Sequence, residues 1–484
     1  MASQRVLLLG SGFVAKPTLD ILAESGIEVT VACRNIGHAV KLSEGVKLAK
    51  PISLDVTNDQ ALDAAVAQHD LIISLIPYTF HAAVIKSAIR HKKHVVTTSY
   101  ISPSMLELDQ QAKDAGITVM NEIGASLCAS LFSFEKHLTV SQLDPGIDHL
   151  YAVSVIERVH QAGGKIKSFV SYCGGLTAPE DDSLTFYAVR PRGVLLALRN
   201  AASFYEGGEV VKVAGPDLMS AAKPYHIYPG FALVAYPNRD STPYKERYNI
   251  PEAETIIRGT LRYQGFPEFV NVLVDIGLLS DEEQSFLREP IPWREATQKI
   301  LGAASASEAD LLEAISAKPS VRGRDDKERL LSGLRWLGIL SDSAITPNGN
   351  PLDTLCALLE EKMSFEQGER DFVLLQHRFE IENKDGTREV MTSTLTEYGA
   401  PYGSSGPSAM SRLVGIPCAV GKCIRPTVFS LMALTQCTTA AKLVLDGTIG
   451  DRGIIAPLSG NINGPLMREL REKYGIECRE KVVL

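Results

Sequence analysis

The stretch "RVLLLGSGFVAKPTLDILAESGIEVTVACRN", Arg5 to Asn35, constrains the fold more than any other. Val6 to Leu9 is a continuous apolar run, as expected of a strand covered on both faces. Gly10, Gly12 and Ala15 then form G-x-G-x-x-A, followed by a helical stretch and a second strand from Glu28 to Ala32. The first glycine makes the turn, the second lets backbone approach a pyrophosphate, and the small third residue lets helix pack on strand. The phosphates would sit at the helix N-terminus, where unpaired N–H groups and the dipole favour anions. A strand–glycine turn–helix–strand order of this kind predicts a dinucleotide-binding, doubly wound parallel sheet.

The second strand ends in Cys33-Arg34, where NAD-preferring sheets carry an acid. A guanidinium there suits a ribose 2′-phosphate, so the expected cofactor is NADP(H) rather than NAD(H). "PISLDVTN" places Asp55 and Val56 after a third strand, near the adenine edge. "HDLIISLIPYTFHAAVIKSAIRHKKHVVTTSY" supplies a fourth strand, a loop, a helix and a fifth strand. Right-handed crossovers bring the strands' carboxyl ends to one crevice, so Ile76, Thr98, Ser99 and Tyr100 are candidate ligand-facing residues.

With 484 residues the chain is long enough for two or three domains, and 45% hydrophobic with 22% charged residues fits a soluble globular protein. A net charge of −8 argues against nucleic acid or an anionic membrane as the main partner. The eight cysteines include no C-x-x-C pair, so neither a metal nor a redox motif is expected. The apolar run after Arg5 stops at Gly10, too short for a signal peptide. The stretch from Val428 to Leu445 is interrupted by Thr435, Gln436, Thr438, Thr439 and Lys442, so it cannot span a bilayer. Farther along, 251–350 reads as helical, with charged faces. "DFVLLQHRFEIENKDGTREVMTSTLTEYG" reads as a hairpin turning at Lys384 to Thr387, and the C-terminus as a helix and a short strand.

"GSGFV", "SLDVTN", "SLIPYTFHAAVIKSAI", "VVTTSY", "LDPGIDHL", "CGGL", "AYPNRDS", "RGTLRYQGF" and "DGTI" together resemble the fungal saccharopine reductases, NADP-dependent and L-glutamate-forming. The resemblance covers nearly the whole chain. It implies reduction by NADPH of the imine of L-glutamate and 2-aminoadipate 6-semialdehyde, giving saccharopine in lysine biosynthesis by the aminoadipate route. It also implies a cytoplasmic homodimer acting on small molecules. Three domains follow: a Rossmann unit over 1–142, an α/β substrate unit over 143–250 and 351–440, and a helical insertion over 251–350. The segment 441–484 would pack back on the first.

Carried over residue by residue, the resemblance implies cofactor contacts at Gly10, Ser11, Gly12, Phe13, Val14, Cys33, Arg34, Asp55, Val56, Ile76, Thr98 and Ser99. They continue through the loop Leu143, Asp144, Pro145, Gly146, Ile147, Asp148, His149 and Leu150. Substrate contacts would be Ser99, Tyr100, Asp144, Arg239, Thr260, Leu261 and Arg262. Saccharopine carries three carboxylates, and arginine grips a carboxylate with two parallel bonds, so Arg239 and Arg262 are apt clamps. Asp144, Tyr100 and Cys173 are the candidate acid/base groups, with Asp144 first among them. A homospermidine-synthase-like relative would present acids instead. A silent NADP(H) sensor would need no tricarboxylate pocket.

Three stretches depart from the family pattern. Residues 125–142 and 421–439 read as extra and without period, and 180–192 lacks a Trp-containing segment. In-frame translation of retained introns would account for the first two.

Overall fold

The computed structural model describes residues 4–11, 15–97, 99, 101–122, 147–180, 191–363, 365–404, 406, 408–410, 412–413, 441, 444–445, 447 and 449–483. The run after Arg5 is strand β1 (Arg5–Leu9). Its alternate side chains leave to opposite faces: Val6 and Leu8 join one apolar cluster, Leu7 and Leu9 another. That explains a run without polar interruption. Beside it lie β2 (Glu28–Cys33), β3 (Ala49–Ser53), β4 (Leu71–Ser74), β5 (His94–Thr97) and β6 (Thr118–Met120). A seventh strand, Gly453–Ile455, returns from the C-terminal segment to pair with β6.

All seven run parallel, in the order 453–455, β6, β5, β4, β1, β2, β3. Strand order reverses between β1 and β4, which is where doubly wound sheets open a ligand crevice. Helices Ala15–Glu24 and Ile36–Ser43 cover one face, and Asp59–Ala67 and His81–His91 the other. Asparagines start two of these helices: Asn35 Oδ1 accepts from the Gly37 N–H at 2.9 Å and Asn58 Oδ1 from Ala61 at 3.0 Å.

The second sheet is mixed and nine-stranded. Its strands are β7 (Lys165–Thr177), β8 (Ala202–Glu206), β9 (Glu209–Val213), β10 (Lys223–Pro224), β11 (Leu233–Pro237), β12 (Thr255–Tyr263), β13 (Asp371–Glu382) and β14 (Arg388–Tyr398). With Gly453–Ile455 as β15, the last is β16 (Arg479–Val482), at the edge beside β14. The main path is β10-β11-β12-β7-β13-β14-β16, parallel only between β12 and β7. The β13–β14 hairpin turns where the sequence places it, closed by the Asn383 N–H donating to the Thr387 carbonyl at 2.8 Å.

Two boundaries of the expected helical insertion need correcting. The helical run does not start at 251, because Thr255–Tyr263 is a strand whose partners β7 and β11 lie outside that range. Nor does it stop at 350, because helix Pro351–Lys362 buries Leu352, Leu355 and Leu359 in the same apolar cluster as Leu273, Leu330 and Leu334. Helices Ile147–Gln161 and Gly460–Tyr474 lie where the two sheets meet. Leu150, Tyr151, Ile462 and Leu466 share one cluster with Val6 and Leu8 of β1 and with Cys173 and Leu375 of the mixed sheet. The apolar core is therefore continuous from one sheet to the other. Among the described residues no helix is long and apolar enough to cross a membrane.

Candidate active site

The carboxyl ends of the parallel strands gather most of the expected cofactor residues. Gly10 leaves β1 with φ +107°, and a Cβ there would lie 2.7 Å from the Leu75 carbonyl oxygen, so only glycine fits the turn. Ser11 follows it, half-buried. Burial pushes the Cys33 thiol up at the end of β2, partly offset by bonds from Ser11 and the Gly10 backbone. Arg34 is exposed, one residue beyond. Asp55 is held below the usual carboxylate range chiefly by the Thr57 N–H at 2.9 Å and hydroxyl at 2.7 Å, with Arg34 adding attraction. Val56 and Ile76 pack half-buried against the apolar core beneath. A turn without room for Cβ, a helix starting at Ala15 and an open cation beyond β2 fit a phosphorylated dinucleotide. Gly12, Phe13, Val14, Thr98 and Tyr100 lie outside the described residues.

Beyond β5, Ser99 is buried and belongs to a polar chain. His81 Nδ1 is 2.9 Å from the Ser74 hydroxyl, and its Nε2 is 2.7 Å from the Ser99 hydroxyl and 3.2 Å from Thr97 Oγ1. Burial pushes the imidazole down to about 4, so the ring is neutral at pH 7. His81 opens the helix after β4, and sequence reasoning passed over it. Its signal lay inside "SLIPYTFHAAV", where a lone histidine among apolar residues looks like core.

Glu122, just past β6, was also missed. Its carboxylate is fully buried and accepts from the Ile101 N–H at 3.0 Å and from Arg247 Nη2 at 2.6 Å, with His149 Nε2 at 3.1 Å. Burial opposes ionisation, yet His149 and Arg247 hold the carboxyl down to about 2.

The expected loop through 143–150 is corrected in its second half. Leu143, Asp144, Pro145 and Gly146 lie outside the described residues, but Ile147 to Leu150 form the first turn of helix Ile147–Gln161 and are buried. Ile147 and Leu150 join the apolar cluster. Asp148 takes a bond from the Ser171 hydroxyl at 2.7 Å, faces His377 Nε2 at 2.7 Å, and pairs with the Arg258 guanidinium. His149 Nδ1 lies 2.6 Å from the Tyr248 hydroxyl. These two side chains hold the helix on the mixed sheet. The acid-and-turn content of "LDPGIDHL" suggested a loop because its long-range partners are invisible in a local reading.

The mixed sheet brings other candidates into register. Tyr236 of β11, Thr260 of β12 and Cys173 of β7 are successive cross-strand neighbours, on one face. Arg262, two residues beyond Thr260, shares that face. Its Nη1 donates to the Leu261 carbonyl at 2.8 Å, and it lies 5.6 Å from the Phe266 ring centroid. Leu261 faces the other way, its side chain fully buried with Leu233, Ala235 and Phe372. Arg239 follows β11 with φ +53°, its backbone fixed by the Ser203 N–H donating to its carbonyl at 2.7 Å. Neither Arg239 nor Arg262 is in an ion pair with a described residue.

A parallel sheet with a glycine turn and a cation beyond β2, joined to a mixed sheet whose Arg239 and Arg262 form no ion pair with a described residue, fits the class of NADP-binding oxidoreductases. Residues 6–120 match the family described as the saccharopine dehydrogenase NADP binding domain, and 143–424 the saccharopine dehydrogenase C-terminal domain. The chain belongs to the saccharopine dehydrogenase family. It is 65% identical, over all of both chains, to "Saccharopine dehydrogenase [NADP(+), L-glutamate-forming]" of Pyricularia oryzae. The Saccharomyces cerevisiae protein of the same name is 53% identical over 99% of both. Bovine mitochondrial alpha-aminoadipic semialdehyde synthase is 35% identical over 97% of this chain and 47% of its own. Among solved structures, apo histidine-tagged saccharopine dehydrogenase (L-Glu forming) from Saccharomyces cerevisiae superposes with a TM-score of 0.87 at 52% identity, covering all of both chains.

Proposed function

We propose that this protein reduces the imine formed from L-glutamate and L-2-aminoadipate 6-semialdehyde, giving L-saccharopine in lysine biosynthesis. The carrying observation is the chain-long 65% identity to an enzyme named for that NADP-dependent, L-glutamate-forming reaction. NADPH, when bound, supplies the hydride. The protein's own residues bind, orient and handle protons. Arg34 faces the 2′-phosphate, and Gly10, Ser11, Gly12, Phe13 and Val14 surround the pyrophosphate. Arg239 and Arg262 grip substrate carboxylates as guanidinium forks, and Thr260 and Ser99 offer hydroxyls to the same ligand. Asp144 takes and returns the proton of imine formation, with Tyr100 and Cys173 as the other candidates; such a group is worth about 10²–10⁴-fold.

The experiment is NADPH oxidation by the purified protein with the semialdehyde, with and without L-glutamate. Oxidation that requires both supports the reading, and oxidation that ignores glutamate overturns it. The family resemblance also implies a cytoplasmic homodimer. Sedimentation of a monomer, or a fluorescent fusion confined to an organelle, would contradict it.

Residues 125–142 and 421–439 lie wholly outside the described residues, and 180–192 lies largely so. The matched family ranges end at 120 and resume at 143, so the first stretch falls between them, whereas the second begins inside the range that ends at 424. Amplifying the transcript across both junctions tests the reading of these two stretches as additions. Shorter spliced products support it, and full-length products alone refute it.

A further inference from the structure

Glu122 carries three features that rarely meet in one residue. It is a fully buried carboxylate, it has a left-handed backbone at φ +60° without being glycine, and it sits at the carboxyl edge of the parallel sheet. Such backbone strain persists only where surrounding contacts over-determine it. Its own N–H donates to the Ser99 carbonyl at 3.2 Å, extending the β5–β6 pairing past the last laddered residues Val96 and Met120. Its Oε1 accepts from the Ile101 N–H at 3.0 Å. One residue therefore fixes the chain on both sides of position 100. Its Oε2 reaches the opposite way, to Arg247 Nη2 at 2.6 Å and His149 Nε2 at 3.1 Å.

Those two partners belong to the other half of the molecule. Arg247 ends the short helix Tyr244–Arg247 and lies 5.1 Å from the Tyr244 ring centroid, while the Arg258 guanidinium lies 3.9 Å from the same ring. Arg258 pairs with Asp148, and His149 is the next residue. A line of contact thus runs from the Ser99–Ile101 segment through Glu122 to Arg247 and His149, then to Tyr244, Arg258 and β12, the strand that carries Thr260 and Arg262. A purely structural prop at the end of a short strand would be served by an apolar side chain. A buried charge is costly unless it is paired, and here the Arg247 and His149 contacts join the parallel-sheet half to the mixed-sheet half.

We propose that Glu122 is a positioning residue for substrate: it holds the Ser99–Ile101 segment at a fixed distance from the substrate-facing side of β12, through Arg247 and His149. This rests on the assignment of Ser99, Thr260 and Arg262 to substrate above. The phosphate-side residues Gly10, Ser11 and Arg34 follow β1 and β2, away from β5 and β6, so the effect is expected to fall on substrate far more than on NADPH.

The test uses the full chain and two variants, Glu122→Gln and Arg247→Lys. Glu122→Gln keeps the size of the side chain and an oxygen for the Ile101 N–H, but removes the charge that holds Arg247. The KM for L-glutamate is expected to rise at least about 10-fold, with NADPH affinity, read by fluorescence titration, within about two-fold of wild type. Arg247→Lys, which keeps a cation, should show a smaller rise of the same kind. Amide exchange at Ile101 should quicken in Glu122→Gln, because its acceptor is weakened. Equal loss of NADPH affinity, or an unchanged KM in both variants, overturns the proposal. If Glu122→Gln does not fold, Arg247→Lys decides by the same split. Wild-type protein that reduces a different carbonyl would refute the functional reading; the exchange rate at Ile101 and the KM for that other substrate would still judge Glu122.

Discussion

Each sheet buries a polar cluster completely, and the two solve the cost of burial in opposite ways. Beside the parallel sheet, Ser74, His81 and Ser99 form a neutral chain, with the imidazole kept uncharged by burial. On the mixed sheet, Asp148, Arg258, His377 and Ser171 form an ionic one. Burial opposes the charge on Asp148, but Arg258 and then His377 hold its carboxyl far below the usual range. A neutral cluster is cheap to bury and leaves Ser99 a hydroxyl whose direction follows the ring's tautomer. An ionic cluster is costly unless complete, and in exchange it fixes where a helix meets a sheet. The cofactor-side sheet is thus built from a local pattern, whereas the substrate-side sheet is locked by an ion pair and hydrogen bonds drawn from four separate segments.

The sharpest way to break this contrast is to remove one ion. Asp148→Ala leaves the Arg258 charge buried without its carboxylate, so equilibrium denaturation should show a loss of about 3–5 kcal/mol. Adding Arg258→Met should recover part of it. A loss below about 1 kcal/mol would show that the network contributes little net stability.

The neutral cluster predicts a pH effect. His81 has a folded value of about 4 against an ordinary 6.5, so the folded state resists protonation that the unfolded chain accepts. Its stability contribution is full above about 6.5 and is lost as pH falls toward 4, at about 1.4 kcal/mol per pH unit and about 3 kcal/mol in all. His81→Asn should flatten the dependence of Tm on pH in that window. Some slope should persist, because His69 and His94 are also lowered by burial. An unchanged slope would mean that His81 is protonated in the folded protein.

Two charge changes sharpen the comparison at the ligand edges. Arg34→Asp should weaken NADPH binding by about 100-fold while sparing NADH, since it removes a charge-assisted fork and adds repulsion. Equal loss for both cofactors would take Arg34 off the 2′-phosphate. Arg239→Ala should raise the KM for glutamate or saccharopine about 10-fold with little change in NADPH affinity. Unchanged kinetics would return Arg239 to a backbone role beside Ser203.

What the sequence determined by itself is what short-range pattern can carry. The unbroken apolar run of β1, the glycine turn after it, Arg34 after β2 and the hairpin at Lys384 to Thr387 were all legible, because each depends on neighbours a few residues away. The family was legible because its motifs run the length of the chain. Tertiary structure alone decided the rest. Thr255–Tyr263 lies in a stretch of helical composition, yet pairing with β7 and β11 makes it a strand, and its alternation then turns Leu261 away from Thr260 and Arg262. Ile147 to Leu150 look like a loop until Arg258, His377 and Tyr248 supply buried partners for Asp148 and His149. Glu122 draws its partners from Ser99, Ile101, His149 and Arg247, and such a site has no period or spacing to read. A buried charge is settled by whichever distant groups the fold brings within hydrogen-bond reach, and that information exists only once the sheets have met.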